Sequence, residues 1–224
     1  MRVDGTEAWR ATHPGACVGL LELSRVENTH APASLDARKR ETEARVRAQY
    51  RGLTRPEVSA LPVMAAYVRY YKRFGKTYHV QLQLESIVLK GKPLPAVSPL
   101  VDANFMAEMD TLVLTAGHDV AKLAGELSID VGRGDRIVQM SGAPRAVPDG
   151  DMIMRDASGV CCSIIYGQDD RSPITAQTSH VLYVAYGPAG VPPDAVEAQL
   201  GRIEETVRLF SPAVVVEQRR VLSA

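Results

Sequence analysis

Cysteine is scarce in this chain, long apolar runs are missing, and the charges of the two signs cancel. Among 224 residues there are three cysteines, and two of them, Cys161 and Cys162, are adjacent. That set builds neither an even disulfide framework nor the paired CxxC spacing of a zinc site, so reduced thiols and no metal are expected. No apolar run approaches the roughly 20 residues needed to cross a bilayer, and Met1-Arg-Val-Asp-Gly5 lacks the apolar core of a signal peptide. A cytoplasmic location without a membrane partner follows as the expectation. Standard catalytic signatures are also missing: there is no GxSxG elbow, Walker loop, HExxH helix or dinucleotide GxGxxG after a strand, and no cofactor is expected. Gly132-Arg-Gly-Asp135 contains a cell-adhesion tripeptide, which three residues match too easily by chance to carry weight.

What is present is ordinary for a globular protein: 46% apolar and 23% charged residues, with neither low complexity nor an internal repeat. One compact domain over residues 1–224 is expected, with its core at about 15–210, a helical part at 34–92 and a β-rich part at 111–186. The formal net charge is zero, but Ser34–Lys92 holds 13 Lys or Arg against 5 Asp or Glu, a local balance of +8. Such asymmetry points to a basic face that could hold phosphates, steer an anionic ligand or meet an acidic partner. The plainer reading is a solvated helix with internal pairs such as Glu41 with Arg45 and Glu43 with Arg47.

Cys17–Leu23 reads as a first strand and Leu35–Tyr50 as a charged surface helix capped by Ser34. Pro62 suits a first helical turn, after which Val63, Ala66, Tyr67, Tyr70 and Phe74 recur at helical spacing until Gly75. The opposite face of that helix carries Arg69, Lys72 and Arg73. A further helix begins near Val80 and ends at Gly91, and a short one begins at Leu100. Strand composition then dominates at Thr111–Thr115, Ile137–Met140, Met152–Arg155, Val160–Tyr166 and His180–Tyr186. Asp194 with Glu197 resembles a capping box for a closing helix through Phe210, and Val214–Val216 offers a last short strand. Helices first, strands next and one closing helix indicate α+β, with a mixed or antiparallel sheet packed against helices.

Candidate chemistry concentrates in two places. Lys90–Phe105 sets Asp102 and Asn104 among apolar residues after a proline-punctuated turn. Two residues apart, they cannot share a helical face, so one can cap the backbone while the other faces elsewhere, toward a ligand or the core. Tyr166–Thr178 leaves a hydrophobic strand and supplies Gln168, Asp169, Asp170, Arg171 and Thr178, a density of polar groups suited either to recognising an amine and ester or to an exposed turn. Cys161 and Cys162 point to opposite faces if they lie in a strand, so at most one could be a pocket nucleophile. His118, between Gly117 and Asp119, reads as a surface histidine in a turn, and His180 as the end of a strand.

Several short segments recur in the order of one family: Leu84-Glu-Ser-Ile87, Gly91-Lys-Pro-Leu-Pro95, Leu100-Val-Asp-Ala-Asn-Phe105, Gly150–Asp156 and Tyr166–Asp170. The chain resembles a free-standing B3/B4 domain, similar to the tRNA-editing module of the phenylalanyl-tRNA synthetase β subunit. That resemblance implies an α+β fold with a pocket that hydrolyses wrongly charged tRNA, here acting in trans on an aminoacyl-tRNA. It implies Asn104 and Thr178 as counterparts of the family's pocket residues; in that reading Asp102, Gln168 and Asp169 hold the amino acid with them, and the helix bearing Arg69, Lys72 and Arg73 contacts the tRNA backbone. The family's pocket glutamate would fall near Pro173 and its histidine near Thr115 or Ala116, and neither is kept. Two other readings stand beside it: a non-catalytic module that binds a free amino acid or small metabolite, and a hydrolase using Cys161 or Cys162.

Overall fold

The computed structural model describes residues 1–224. The chain runs β1 (Val3–Gly5), α1 (Glu7–Thr12), β2 (Cys17–Ser24), α2 (Ala33–Gln49), α3 (Arg55–Ala60), α4 (Pro62–Lys72), α5 (His79–Val88) and α6 (Pro99–Thr111). It continues through β3 (Thr115–Asp119), β4 (Leu127–Val131), β5 (Arg136–Val138), β6 (Pro144–Ala146), β7 (Met152–Asp156), β8 (Gly159–Ser163) and β9 (Gly167–Gln168). β10 (His180–Gly187), α7 (Pro193–Val207) and β11 (Val215–Ser223) complete an α+β architecture. Two principal sheets organise it. One is antiparallel, in the order β11-β2-β10-β3, and the other runs β1-β4-β7-β8-β9, with β1 and β4 parallel and its remaining neighbours antiparallel. β5 and β6 form a separate two-stranded hairpin.

β2 and β10 are buried almost throughout, as expected of central strands covered by helices. Helix α7 lies across β2, β10 and β11 and against α6. Gly19 permits that approach, since a Cβ there would stand 2.5 Å from Cγ1 of Val196. Helix α4 ties the two sheets together through its tyrosines. The hydroxyl of Tyr67 donates to the carbonyl of Tyr186 in β10, and that of Tyr71 donates to the carbonyl of Ile164 just beyond β8 at 2.6 Å. Tyr70 donates to Asp151 at 2.7 Å and accepts from the Met152 amide at 2.6 Å. Each bond contributes only about 1 kcal/mol net, but a buried hydroxyl without one would cost more, so the sequence spacing of these tyrosines fixes the helix against both sheets. A core of 53 buried residues runs through helices and sheets alike.

Local differences from the sequence reading have identifiable causes. Of Thr111–Thr115 only Thr115 lies in a strand: α6 continues to Thr111, whose hydroxyl donates to Gln199 of α7 at 2.6 Å, and Leu112 stops the helix with a left-handed φ of 62°. Packing of one helical face overrides the β-favouring composition there. Neither Ser34 nor Asp194 is an N-cap, because α2 starts after Pro32 and α7 after Pro192, where proline fixes φ just ahead of the first turn. Glu197 instead pairs with Arg219 at 2.6 Å. At the start of α6 neither Asp102 nor Asn104 occupies the cap position: Asn28, from the loop after β2, accepts from the Leu100 amide at 3.0 Å. Arg45 pairs with Asp110 rather than Glu41, while Glu43 and Arg47 do pair, at 3.4 Å. The hairpin expected around Met152–Arg155 and Val160–Tyr166 forms as β7 and β8. No helix is long and apolar enough to cross a membrane.

Candidate functional site

Between the two sheets, α5, α6, β3, the β8–β9 turn and β10 enclose a cavity of about 360 Å³. Helix α6 presents Val101, Asn104, Phe105 and Glu108 to it, positions spaced i, i+3, i+4 and i+7 and therefore on one face. Thr115, Ala116 and Gly117 of β3, His79 and Gln83 of α5, and Cys162, Ser163 and Gln168 add polar and small groups to a wall that is otherwise largely apolar.

Glu108 is the dominant group. Only 2% exposed, it accepts from the Thr115 amide at 2.9 Å and forms no ion pair, and burial pushes its carboxyl up to about 8. The Thr115 and Asn104 bonds pull the other way, but desolvation is the larger effect. Asn104 is held in one orientation: its amide donates to the Thr115 carbonyl at 3.0 Å, and its oxygen accepts from Gln199 of α7 at 3.3 Å. Gln199 also donates to the Thr115 hydroxyl and accepts from Thr111 at 2.6 Å, so the network behind the cavity reaches across α6, β3 and α7.

His79 meets the Tyr71 hydroxyl through Nδ1 at 3.1 Å. Because Tyr71 commits its proton to the Ile164 carbonyl, the hydrogen bonds assign the His79 proton to Nδ1 and leave Nε2 as an acceptor. Burial holds this imidazole neutral, with its pKa down at about 4. Tyr186 is fully buried in the cavity wall, where its hydroxyl has the Cys162 thiol beside it and no oxygen or nitrogen partner. Sulfur is a weak acceptor, so a polar atom of a ligand would compete for that hydroxyl. Ser163 donates to Asp151 and accepts from the Tyr166 amide, so its hydroxyl is not free to attack a substrate. Asp151 itself is pushed up to about 6 by burial.

The residues expected at the site divide. Asn104 and Gln168 line the cavity, and Gln168 is held by donating to the Ser172 carbonyl at 2.7 Å. Asp102, Asp169 and Thr178 do not line it. Asp102 turns from α6 toward α2, pairing with Lys39 at 2.7 Å and accepting from the Val97 amide, as expected of a residue two positions from Asn104. Asp169 pairs with Arg171 and accepts from the Val138 amide, which fastens the β5–β6 hairpin to the β8–β9 segment. Thr178 donates to Asp119 at 2.8 Å. Arg69, Lys72 and Arg73 are exposed on and just after α4, away from the cavity wall.

His118 is a correction: it is fully buried in β3, bonded through Nδ1 to Ser172 at 2.8 Å, with its pKa held down at about 3 by burial. Alternation along the strand turns it inward. Cys162 lines the cavity, but burial raises its thiol far above the ordinary range, as it raises Cys161 to about 12, so neither offers a thiolate near neutral pH. All three cysteines are free and buried. No group of three or more His, Cys, Asp or Glu side chains is arranged to hold a metal ion. The residues that sequence reasoning passed over are Glu108, His79 and Tyr186. The signal for Glu108 was legible: an acid four residues after Asn104 shares its helical face.

No protein-family model and no curated protein matches the sequence. Among solved structures, the chain is similar to an N-terminal fragment of the phenylalanyl-tRNA synthetase β subunit from Pyrococcus horikoshii, at 8% identity with a TM-score of 0.48. The match covers 99% of this chain and 54% of the other, so this chain spans about half the length of that fragment.

Proposed function

We propose that the cavity binds a small amino-acid-like ligand and that the protein hydrolyses the ester of a mischarged aminoacyl-tRNA. The observation that supports this most is the buried Glu108 carboxyl, pushed up to about 8 in the wall of a largely apolar cavity. A group poised near neutrality can exchange a proton with a reacting water, as general acid–base catalysis requires. In the reaction, a water oxygen bonds to the ester carbonyl carbon, the bond to the ribose oxygen breaks, and free amino acid and a ribose hydroxyl result. The ionised form of Glu108, the minor one below pH 8, takes the water's proton and returns it to the leaving oxygen, so the rate rises with pH toward 8. The ester is already activated, so positioning contributes more than base strength.

Asn104 and Gln168 hold the ligand's polar atoms in this reading, and the Tyr186 hydroxyl, beside only the weak Cys162 acceptor, supplies a further donor. Asp102, Asp169 and Thr178 act from behind, by fixing the elements that carry those groups. Arg69, Lys72 and Arg73 meet the tRNA backbone. Lys76 adds to the basic surface near the cavity, resting over the Tyr166 ring at 5.6 Å, with His79 and Gly167 of the cavity wall close by in sequence.

A second reading, a binding module without catalysis, is favoured by His79, the histidine that lines the cavity: burial holds it neutral with its pKa down at about 4, a poor match for proton exchange with Glu108. The test is deacylation of a panel of aminoacyl-tRNAs by the purified protein, beside Asn104→Ala and Glu108→Gln. Faster loss of one or a few amino acids, abolished in both variants, supports the hydrolase. Unchanged rates across the panel, together with saturable binding of a free amino acid, would transfer the assignment to the binding module.

A further inference from the structure

The basic excess of Ser34–Lys92 is not evenly spent. On α2 and at the start of α3, Arg38, Lys39, Arg45, Arg47 and Arg55 have carboxylate partners at 2.5 to 3.6 Å, and Arg40 alone has none. Arg69, Lys72 and Arg73 have none: no carboxylate lies within ion-pair distance of any of them, and their side chains make no hydrogen bond within the protein.

Arg69 and Arg73 stand i, i+4 on one side of α4 and flank a second hollow, of about 280 Å³, which His13, Tyr70 and the Pro188–Ala189 turn complete. Both guanidinium groups are placed by contacts that leave their donors unspent. Arg73 lies over the rings of Tyr70 and Phe74 at 5.6 and 5.4 Å. Arg69 packs against Gly190, whose φ is 97° and where a Cβ would come within 2.6 Å of Nη2. His13, 5% exposed and without a partner for Nε2, lies beneath. The acids nearby belong to the 148–151 turn, whose Gly150 lies against Nη2 of Arg73: Asp149 is exposed and makes no ion pair, and Asp151 is buried and already bonded to Tyr70 and Ser163.

We propose that this hollow is an oxyanion site that takes a phosphate group between the Arg69 and Arg73 forks. Two planar, always-charged groups with unspent donors suit a tetrahedral anion better than the point charge of a lysine. The phosphate belongs either to an RNA backbone or to a small phosphorylated molecule. The inference rests on the tRNA reading only for that source.

The test titrates inorganic phosphate into the full chain while following the arginine Nε–H and His13 ring resonances. Expected are saturable shifts in the wild type and in Glu108→Gln, and an affinity loss of about tenfold or more in Arg69→Lys/Arg73→Lys, which keeps the charge but loses the forks. An uncharged RNA hairpin, bearing no amino acid, forms the second arm. If an RNA backbone is the source, the hairpin displaces phosphate, and its salt dependence falls by about two phosphates in Arg69→Gln/Arg73→Gln. If a small molecule is the source, phosphate still binds and the hairpin does not compete. Absence of any saturable shift in the wild type, or equal affinity in the lysine variant, overturns the site. Because Glu108→Gln leaves the hollow intact, failure of the cavity's proposed chemistry would show separately.

Discussion

Replacing Glu108 with glutamine should change how stability depends on pH more than any other single substitution in the cavity. In the folded protein burial raises this carboxyl from 4.5 to about 8. Between those values the unfolded chain has released the proton while the folded chain retains it, so the folded state binds more protons and stability falls as pH rises. The slope is tenfold in the folding equilibrium per pH unit, amounting to about 3 kcal/mol between pH 5 and pH 8. Glutamine keeps the shape and can still accept from the Thr115 amide, but it does not titrate. Near pH 5 the two proteins should therefore be about equally stable, and near pH 8 Glu108→Gln should be the more stable by about 3 kcal/mol. Asp151, also raised by burial, is present in both proteins and cancels in the difference. Urea unfolding of both at pH 5, 6, 7 and 8 reads this directly, provided the denaturant slopes agree. Parallel stability profiles would refute the assignment of Glu108 as a buried carboxyl held neutral. Greater stability combined with lost deacylation would be the signature of a group retained for chemistry at a cost in folding.

Three further outcomes follow from the same geometry. Lys39→Met alone leaves Asp102 buried without its partner and should destabilise the protein by about 3–5 kcal/mol, whereas Lys39→Met with Asp102→Leu should recover most of that loss in thermal unfolding. Gly117→Ala places a methyl group 2.6 Å from Cδ1 of Ile174 and 3.1 Å from the Tyr183 ring, so it should narrow the cavity and weaken ligand binding at a stability cost of about 1–3 kcal/mol, measured by calorimetric titration beside a urea melt. Thiol alkylation of the native protein should be slow until the chain is unfolded, since burial raises Cys17 to about 11 and Cys161 to about 12; rapid labelling by iodoacetamide at neutral pH would revive the cysteine-hydrolase reading.

Much of the fold was legible because its signals are local. The stripe of Tyr67 and Tyr70 marked α4, the turn residues at 148–150 and 156–159 marked the β7–β8 hairpin, and the spacing of Asp102 and Asn104 sent them to different faces. The end of α6 was not legible, since Thr111–Thr115 has strand composition and only contacts with α7 and β3 carry the helix to Thr111. The candidate site was legible in part for the same reason. Asn104 and Gln168 advertise themselves as polar groups beside apolar runs, but so do Asp102, Asp169 and Thr178, which spend their hydrogen bonds on structure.

By itself, then, the sequence determined the fold class, the order of most elements and the placement of basic charge along the chain, all of which depend on patterns within a few turns of helix or one strand. Tertiary structure alone decided that His118 is buried, that Glu108 shares a cavity with His79 and Tyr186, and which basic residues remain unpaired on α4. Burial and pairing depend on partners far apart in sequence, 63 positions for Lys39 and Asp102 and 95 for Asn104 and Gln199, and proton affinity depends on burial in turn.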